Sequence, residues 1–194
     1  MAFVNLLDLW LTLMGASLFI TIYWLVINFI RPDKYGDRLF ELNRGLGYYY
    51  LAIGIYSFIT GLWASFTWPL PGPYNIILSD PWPLFGLAFI LLGLQNIFNL
   101  NLRGILYGVS ALGLPIVFYG VSILRYGLTR SPVFSGLMFL AIGFTALLSP
   151  LLAFETTKKF SAYIFIILLL VGGILAIFTG YNAVFGHIES FLSE

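Results

Sequence analysis

Asp8, Asp80, Glu189 and the single histidine, His187, are the residues of this 194-residue chain whose types could relay a proton or hold a cation. Carboxylates and an imidazole both titrate and coordinate, which is why intramembrane clusters of them mark ion and proton pathways. Asp8 is the acid set furthest into an apolar run, MAFVNLLDLWLTLMGASLFITIYWLVINFI. A carboxylate in such a run is costly enough to be a candidate site in itself, with His187 and Arg125 as the partners expected at its depth. The alternative is structural: an acid near a helix start can reach water or favour the positive end of the helix dipole. Asn75 and Asp80 join the same outer-face set from a proline-rich stretch described below. Glu194 falls on the same outer face, and the other four acids, Asp33, Asp37, Glu41 and Glu155, stand beside basic residues, where charge balance in solvent accounts for them.

A second polar group falls in GLQNIFNLNLRG, at Gln95, Asn96, Asn99 and Asn101. Asn96, Asn99 and Arg103 share one helical face. Amides here either bond helices together or line the inner mouth of a polar pathway.

Other chemistries lack their residues. With no cysteine, one histidine and no His-x-x-x-His or Glu-x-x-His spacing, the chain offers no set for zinc, copper or bis-histidine haem, and no cofactor is expected. Which metal, if any, the outer acids would take is left open by the sequence. Facing acids for a carboxylate-based enzyme could come only from Asp8 with Asp80, and an enzyme is not expected. A net charge of +1 excludes the broad basic surface that nucleic-acid binding requires.

The elements that must position these residues are membrane helices. The chain is 60% hydrophobic and 9% charged, against about 25% charged in soluble domains. A spanning helix needs about 20 apolar residues. Six segments qualify, at about 3–30, 46–69, 83–101, 104–126, 132–154 and 160–186, so the fold class is an all-α transmembrane bundle forming one domain over 1–194. The first segment is a permanent span: it lacks a basic leader and outruns a signal peptide. Alternate loops carry Arg31, Lys34, Arg38, Arg44, Arg103, Lys158 and Lys159 on one side, against Arg125 and Arg130 on the other. By the positive-inside rule both termini face outward across the plasma membrane. Tyr48, Tyr49 and Tyr50, with Trp10, Trp63, Trp68 and Trp82, then read as interfacial aromatic belts. Arg38 to Leu42 reads as a short helix lying on the lipid surface.

The stretch WPLPGPYNIILSDPWPLFG, residues 68–86, holds five of the nine prolines. Proline fixes φ and restricts its predecessor, so this loop is expected to be rigid: Pro69, Pro71 and Pro73 stop one span, and Asp80 caps the next ahead of Pro81 and Pro83. Tyr74 to Ser79 can dip back as a lid over the face where Asp8 and His187 emerge, or form a capped turn.

Small residues let membrane helices approach closely. Gly172, Ala176 and Gly180 form such a stripe, Gly104 and Gly108 begin another, and Asp8, Thr12, Gly15 and Phe19 make a protein-facing edge on the first span. Leu51-Ala-Ile-Gly54 recurs as Leu140-Ala-Ile-Gly143, which would fit a three-plus-three inverted duplication. Pro115 and Pro150 kink the fourth and fifth spans, or free carbonyls at Ala111 and Ala146 for a cation.

The GPYNIILSDPWPLFG loop, the aromatic span before it and the six-helix layout resemble a prokaryotic family of polytopic membrane proteins known as a domain of unknown function. The likeness centres on Gly72-Pro73-Tyr74-Asn75, Asp80-Pro81 and Gly86. It implies membrane placement and transfers no catalytic or binding residues. The expected function is a small-solute or ion transporter, channel or sensor, and the alternative is a non-catalytic structural or accessory subunit of a membrane complex. Expected partners are the bilayer, a small ion or solute, and a second copy or another membrane protein.

Overall fold

The computed structural model describes residues 6–193, which form helices joined by short turns with no strand among them. Helix α1 (Leu7–Leu25) continues through a π-helical turn (Val26–Ile30) and a 3-10 turn (Pro32–Lys34) to α2 (Arg38–Thr67). A short α3 (Pro73–Leu78) precedes α4 (Pro81–Phe98), α5 (Leu102–Tyr126), α6 (Pro132–Leu147) with a 3-10 extension (Ser149–Ala153), and α7 (Lys158–Leu192). Six stretches, Leu7–Ile30, Arg38–Thr67, Pro73–Phe98, Leu102–Tyr126, Pro132–Ala153 and Lys158–Glu189, are long and apolar enough to cross a bilayer. The chain is a multi-pass membrane protein of six spans.

Helices dominate because hydrocarbon offers no water to an unpaired backbone group, so each span must satisfy its own. Their ends follow from local chemistry. Pro81 and Pro132 open α4 and α6, where a missing N–H costs nothing. The Asn101 side chain accepts the Arg103 N–H to start α5, and Gly127, at φ 62°, ends it. One boundary differs from expectation: Arg38 to Leu42 is not a separate surface helix but the first turns of α2, without a break.

The spans pack as three antiparallel pairs, α2 with α4, α5 with α6 and α1 with α7. Lipid tails are as apolar as leucine, so close van der Waals contact has to select the partner. The residues that permit it are glycines two turns apart. Gly47, Gly54 and Gly61 of α2 meet Gly93, Gly86 and Pro83 of α4; a Cβ on Gly54 would lie 2.7 Å from Ile90 N and 2.8 Å from Gly86 O. Gly15 and Gly173 serve α1 and α7 in the same way, a Cβ on Gly15 falling 2.9 Å from the Gly173 carbonyl. The four-residue stripes expected from sequence are only partly used. Gly180 faces Thr12, but Gly172 turns to Ile142 of α6, and Gly104 has no neighbour within 4 Å. The pairing also departs from a three-plus-three duplication: the second span packs chiefly on the third, whereas the fifth packs chiefly on the fourth.

The two internal prolines act differently on their helices. Pro115 lies within a continuous α5, and Pro150 ends α6 by tightening it into the 3-10 extension. Hydroxyls answer the carbonyls nearby, Ser110 Oγ donating to Leu147 O at 2.6 Å and Ser149 Oγ to Leu106 O at 3.0 Å. The aromatic belts need correction as well. Trp63, Trp68 and Tyr48 are exposed as a belt requires, but Trp10, Trp82 and Tyr50 are buried in the bundle.

Candidate functional site

The seam between α1 and α7 brings together the two residues that stood out most. His187 Nδ1 lies 2.8 Å from Asp8 Oδ2, joining positions 179 residues apart. One ring N–H directed at the carboxylate makes this a charge-assisted contact. Asp8 is only 4% exposed, while the His187 side chain is 41% exposed. The edge Asp8, Thr12, Gly15, Phe19 does face protein: Thr12 meets Gly180, and Gly15 and Phe19 meet Gly173. The two acids offered beside them go elsewhere. Glu189 is exposed on the last turns of α7, and Asp80 accepts a hydrogen bond from Ser65 Oγ of α2 at 2.8 Å. Arg125 is exposed and stacks over Tyr126, 5.4 Å from the ring centroid. Among the described residues no three His, Asp or Glu side chains converge as a metal would need.

Asn75 is fully buried and holds the proline-rich loop closed. Its Oδ1 accepts from Leu70 N at 3.2 Å and Ser79 Oγ at 3.2 Å, and its Nδ2 donates to Ala64 O at 3.4 Å. Asp80 makes no side-chain bond to the start of α4, so the capping role expected of it is replaced by the tie to Ser65. The excursion expected at Tyr74 to Ser79 is α3, whose Ile77 inserts into the core. Leu78 and Pro81 reach over Leu7 and Trp10 of α1, so the loop covers an apolar space beside α1.

At the other end, called the basic end for its arginines and lysines, the amides act as fasteners. Asn96 Oδ1 accepts the indole N–H of Trp24 at 3.0 Å. Gln95 Nε2 reaches Leu100 O at 3.5 Å, and Asn99 takes the left-handed conformation, φ 51°, that ends α4. Sequence reasoning missed a fourth amide tie, Asn28 with Asn43, which exchange two hydrogen bonds at 2.9 and 2.8 Å. Asn28 sits in the π-helical turn, and no pattern in the sequence marks that register.

Among the described residues, three cavities adjoin in turn through residues that line both neighbours. The first, about 80 Å³, lies under the loop between Trp10, Met14, Trp82 and Met138. The second, about 100 Å³, shares the walls Phe85, Ala88, Ile142 and Ala146 with the first and runs on to Trp24 and Ser149. Both have almost wholly apolar walls. Leu152, buried, closes the second and also lines the third, an open polar vestibule of about 460 Å³ at the basic end. Asn28, Asn101, Arg103, Glu155 and Lys158 border that vestibule. Trp10 Nε1, in the wall of the first cavity, is buried without a hydrogen-bond partner.

Residues 1–190 match the family described as "Protein of unknown function (DUF981)". No curated protein and no solved structure matches the chain.

Proposed function

The chain belongs to the DUF981 family, and from the cavities of its bundle we propose that it binds a small apolar or amphiphilic solute of the membrane, as a transporter or sensor. The observation that carries this reading is the run of two abutting apolar cavities ending at Leu152 beneath a polar vestibule. Each is smaller than the roughly 150 Å³ apolar cavity that holds benzene, so the guest that suits them is a slender chain lying along both and not a ring. Genuinely apolar cavities stay dry and accept apolar guests, which argues against a hydrated ion path. The unmatched Trp10 N–H offers such a guest one donor. The excess of basic residues at the vestibule end supports placing it in the cytoplasm, with the termini outside the plasma membrane.

The accessory-subunit reading draws on a different observation. Asp8 is held against His187 rather than facing a hydrated cavity, as a static fastening of α1 to α7 would require. The discriminating experiment uses protein in liposomes and in detergent. Saturable quenching of tryptophan fluorescence by a chain with a terminal bromine, together with no cation or proton flux, is the expected result. Flux that disappears in Asp8→Asn would restore an ion pathway, and neither flux nor saturable quenching would leave the accessory role.

A further inference from the structure

Resting on that reading, we propose that the solute is a single-chain amphiphile with an anionic head group, bound with its head in the vestibule and its chain past Leu152. The vestibule and the second apolar cavity have Leu152 as a common wall, so a head group in one and a chain in the other would be joined across that single side chain, which has to turn aside for the guest. The sign of the head group follows from where the cations sit. Arg103 is the second residue of α5 and Lys158 the first of α7, so both stand in the first turn of a long helix. A cation there opposes the helix dipole, whose N-terminal end is already positive. Two helix N-termini and two basic side chains therefore converge on one solvent-filled space, an arrangement that an anion relieves and a cation worsens.

The acid in the vestibule does not cancel this field. Glu155 pairs with Lys158 at 2.6 Å, but its side chain is 87% exposed, and an exposed pair of this kind is worth at most about 1 kcal/mol. Lys158 can therefore turn from Glu155 to a head group at little cost. Arg103 rests over the Phe154 ring, 5.0 Å from its centroid, and is exposed, so its charge is not taken up by an acid of the vestibule. Asn28 cannot take the Glu155 role or replace the basic pair, since its amide is committed to Asn43 and to Trp24 O. Its π-helical turn does line the vestibule, and such turns recur at binding sites because they widen the helix locally. The cavity volumes set the number of chains. The apolar space beyond Leu152 takes one chain, and a two-chain lipid would have to leave its second chain in the bilayer.

The test uses full-length protein in detergent with Trp63→Phe and Trp68→Phe, which removes the two exposed indoles and leaves Trp10, Trp24 and Trp82 as reporters. Three probes share one chain with a terminal bromine and differ in the head: carboxylate, alcohol and trimethylammonium. Saturable quenching strongest for the carboxylate is expected, weakening about tenfold in Arg103→Gln and further in the double variant with Lys158→Gln, while the alcohol is unchanged. Leu152→Trp, which enlarges the side chain between the two spaces, should reduce quenching by every probe. Quenching by all three heads alike, or carboxylate binding indifferent to both basic substitutions, would overturn the anionic assignment and leave the apolar-solute reading standing. No saturable quenching by any probe would overturn both. Unchanged melting of Arg103→Gln and Lys158→Gln, both at exposed or half-exposed sites, shows that lost binding is not lost folding.

Discussion

At the end where α1 begins and α7 finishes, polar groups are drawn inward and matched by protein: Asp8 with His187, Asp80 with Ser65, Asn75 with the backbone of its own loop. At the basic end the charged groups Arg103, Glu155 and Lys158 stay around an open vestibule that Asn28, bonded to Asn43, also borders. The difference separates two uses of polarity in a membrane. A buried group satisfied inside the protein fixes which helices meet, because its alternative partner would be hydrocarbon. A solvated cation at a helix start fixes nothing and remains available to a ligand. Of the acids that stand out in the sequence, Asp8 and Asp80 make contacts between helices, while Arg103 and Lys158 border the open space.

The comparison is broken or sharpened by substitutions of graded effect. The largest concerns the scaffold common to both ends. Gly86→Leu places a side chain where a Cβ alone would lie 2.5 Å from Phe58 N, and should cost at least about 3 kcal/mol or prevent assembly, read by thermal melting and size-exclusion behaviour. Next comes the loop. Asn75→Ala removes the partner of Leu70 N, Ser79 Oγ and Ala64 O, an expected loss of about 2–3 kcal/mol with faster proteolysis between residues 68 and 80.

The fastening of α1 to α7 should give a smaller loss. His187→Ala withdraws a ring nitrogen from a nearly buried carboxylate and is expected to cost about 1–3 kcal/mol while leaving carboxylate-chain binding unchanged. A large loss of binding with little loss of stability would reverse the roles of the two ends. Trp24→Phe strands Asn96 Oδ1 and should cost about 1 kcal/mol, and it should remove the reporter nearest the vestibule. The smallest effect is expected at Glu155→Gln. Stability should move by less than about 0.5 kcal/mol, as for other exposed ion pairs, while affinity for the anionic probe rises about twofold.

Much of the fold was legible because a bilayer imposes a length on every span. Apolar runs near 20 residues, punctuated by RPDK, by the proline loop, by Asn101 to Gly104, by Arg130 to Pro132 and by ETTKK, locate all six helices to within a few residues, α2 excepted. Its early start was hidden because Arg38, Glu41 and Arg44 look like loop residues, yet they continue the helix into the polar headgroup zone. The candidate site was less legible. Asp8 and His187 could be paired by depth alone, but Asp80 shares that depth and went to Ser65. Arg103 and Lys158 were counted only as markers of sidedness.

The sequence by itself determined that this chain is a six-span helical membrane protein, about where its spans other than α2 begin, and which of its few charges lie at each end. Those properties depend on local composition and on the thickness of hydrocarbon. Only the tertiary structure decided which helices pair, why Trp10 and Trp82 face inward while Trp63 and Trp68 are exposed, and that the interior holds apolar cavities separated by Leu152 from a basic mouth. In water a hydrophobic stripe would have announced the buried face. In lipid both faces of a span are apolar, so the inward side is chosen by fit, glycine against glycine and amide against indole, between residues far apart in the chain.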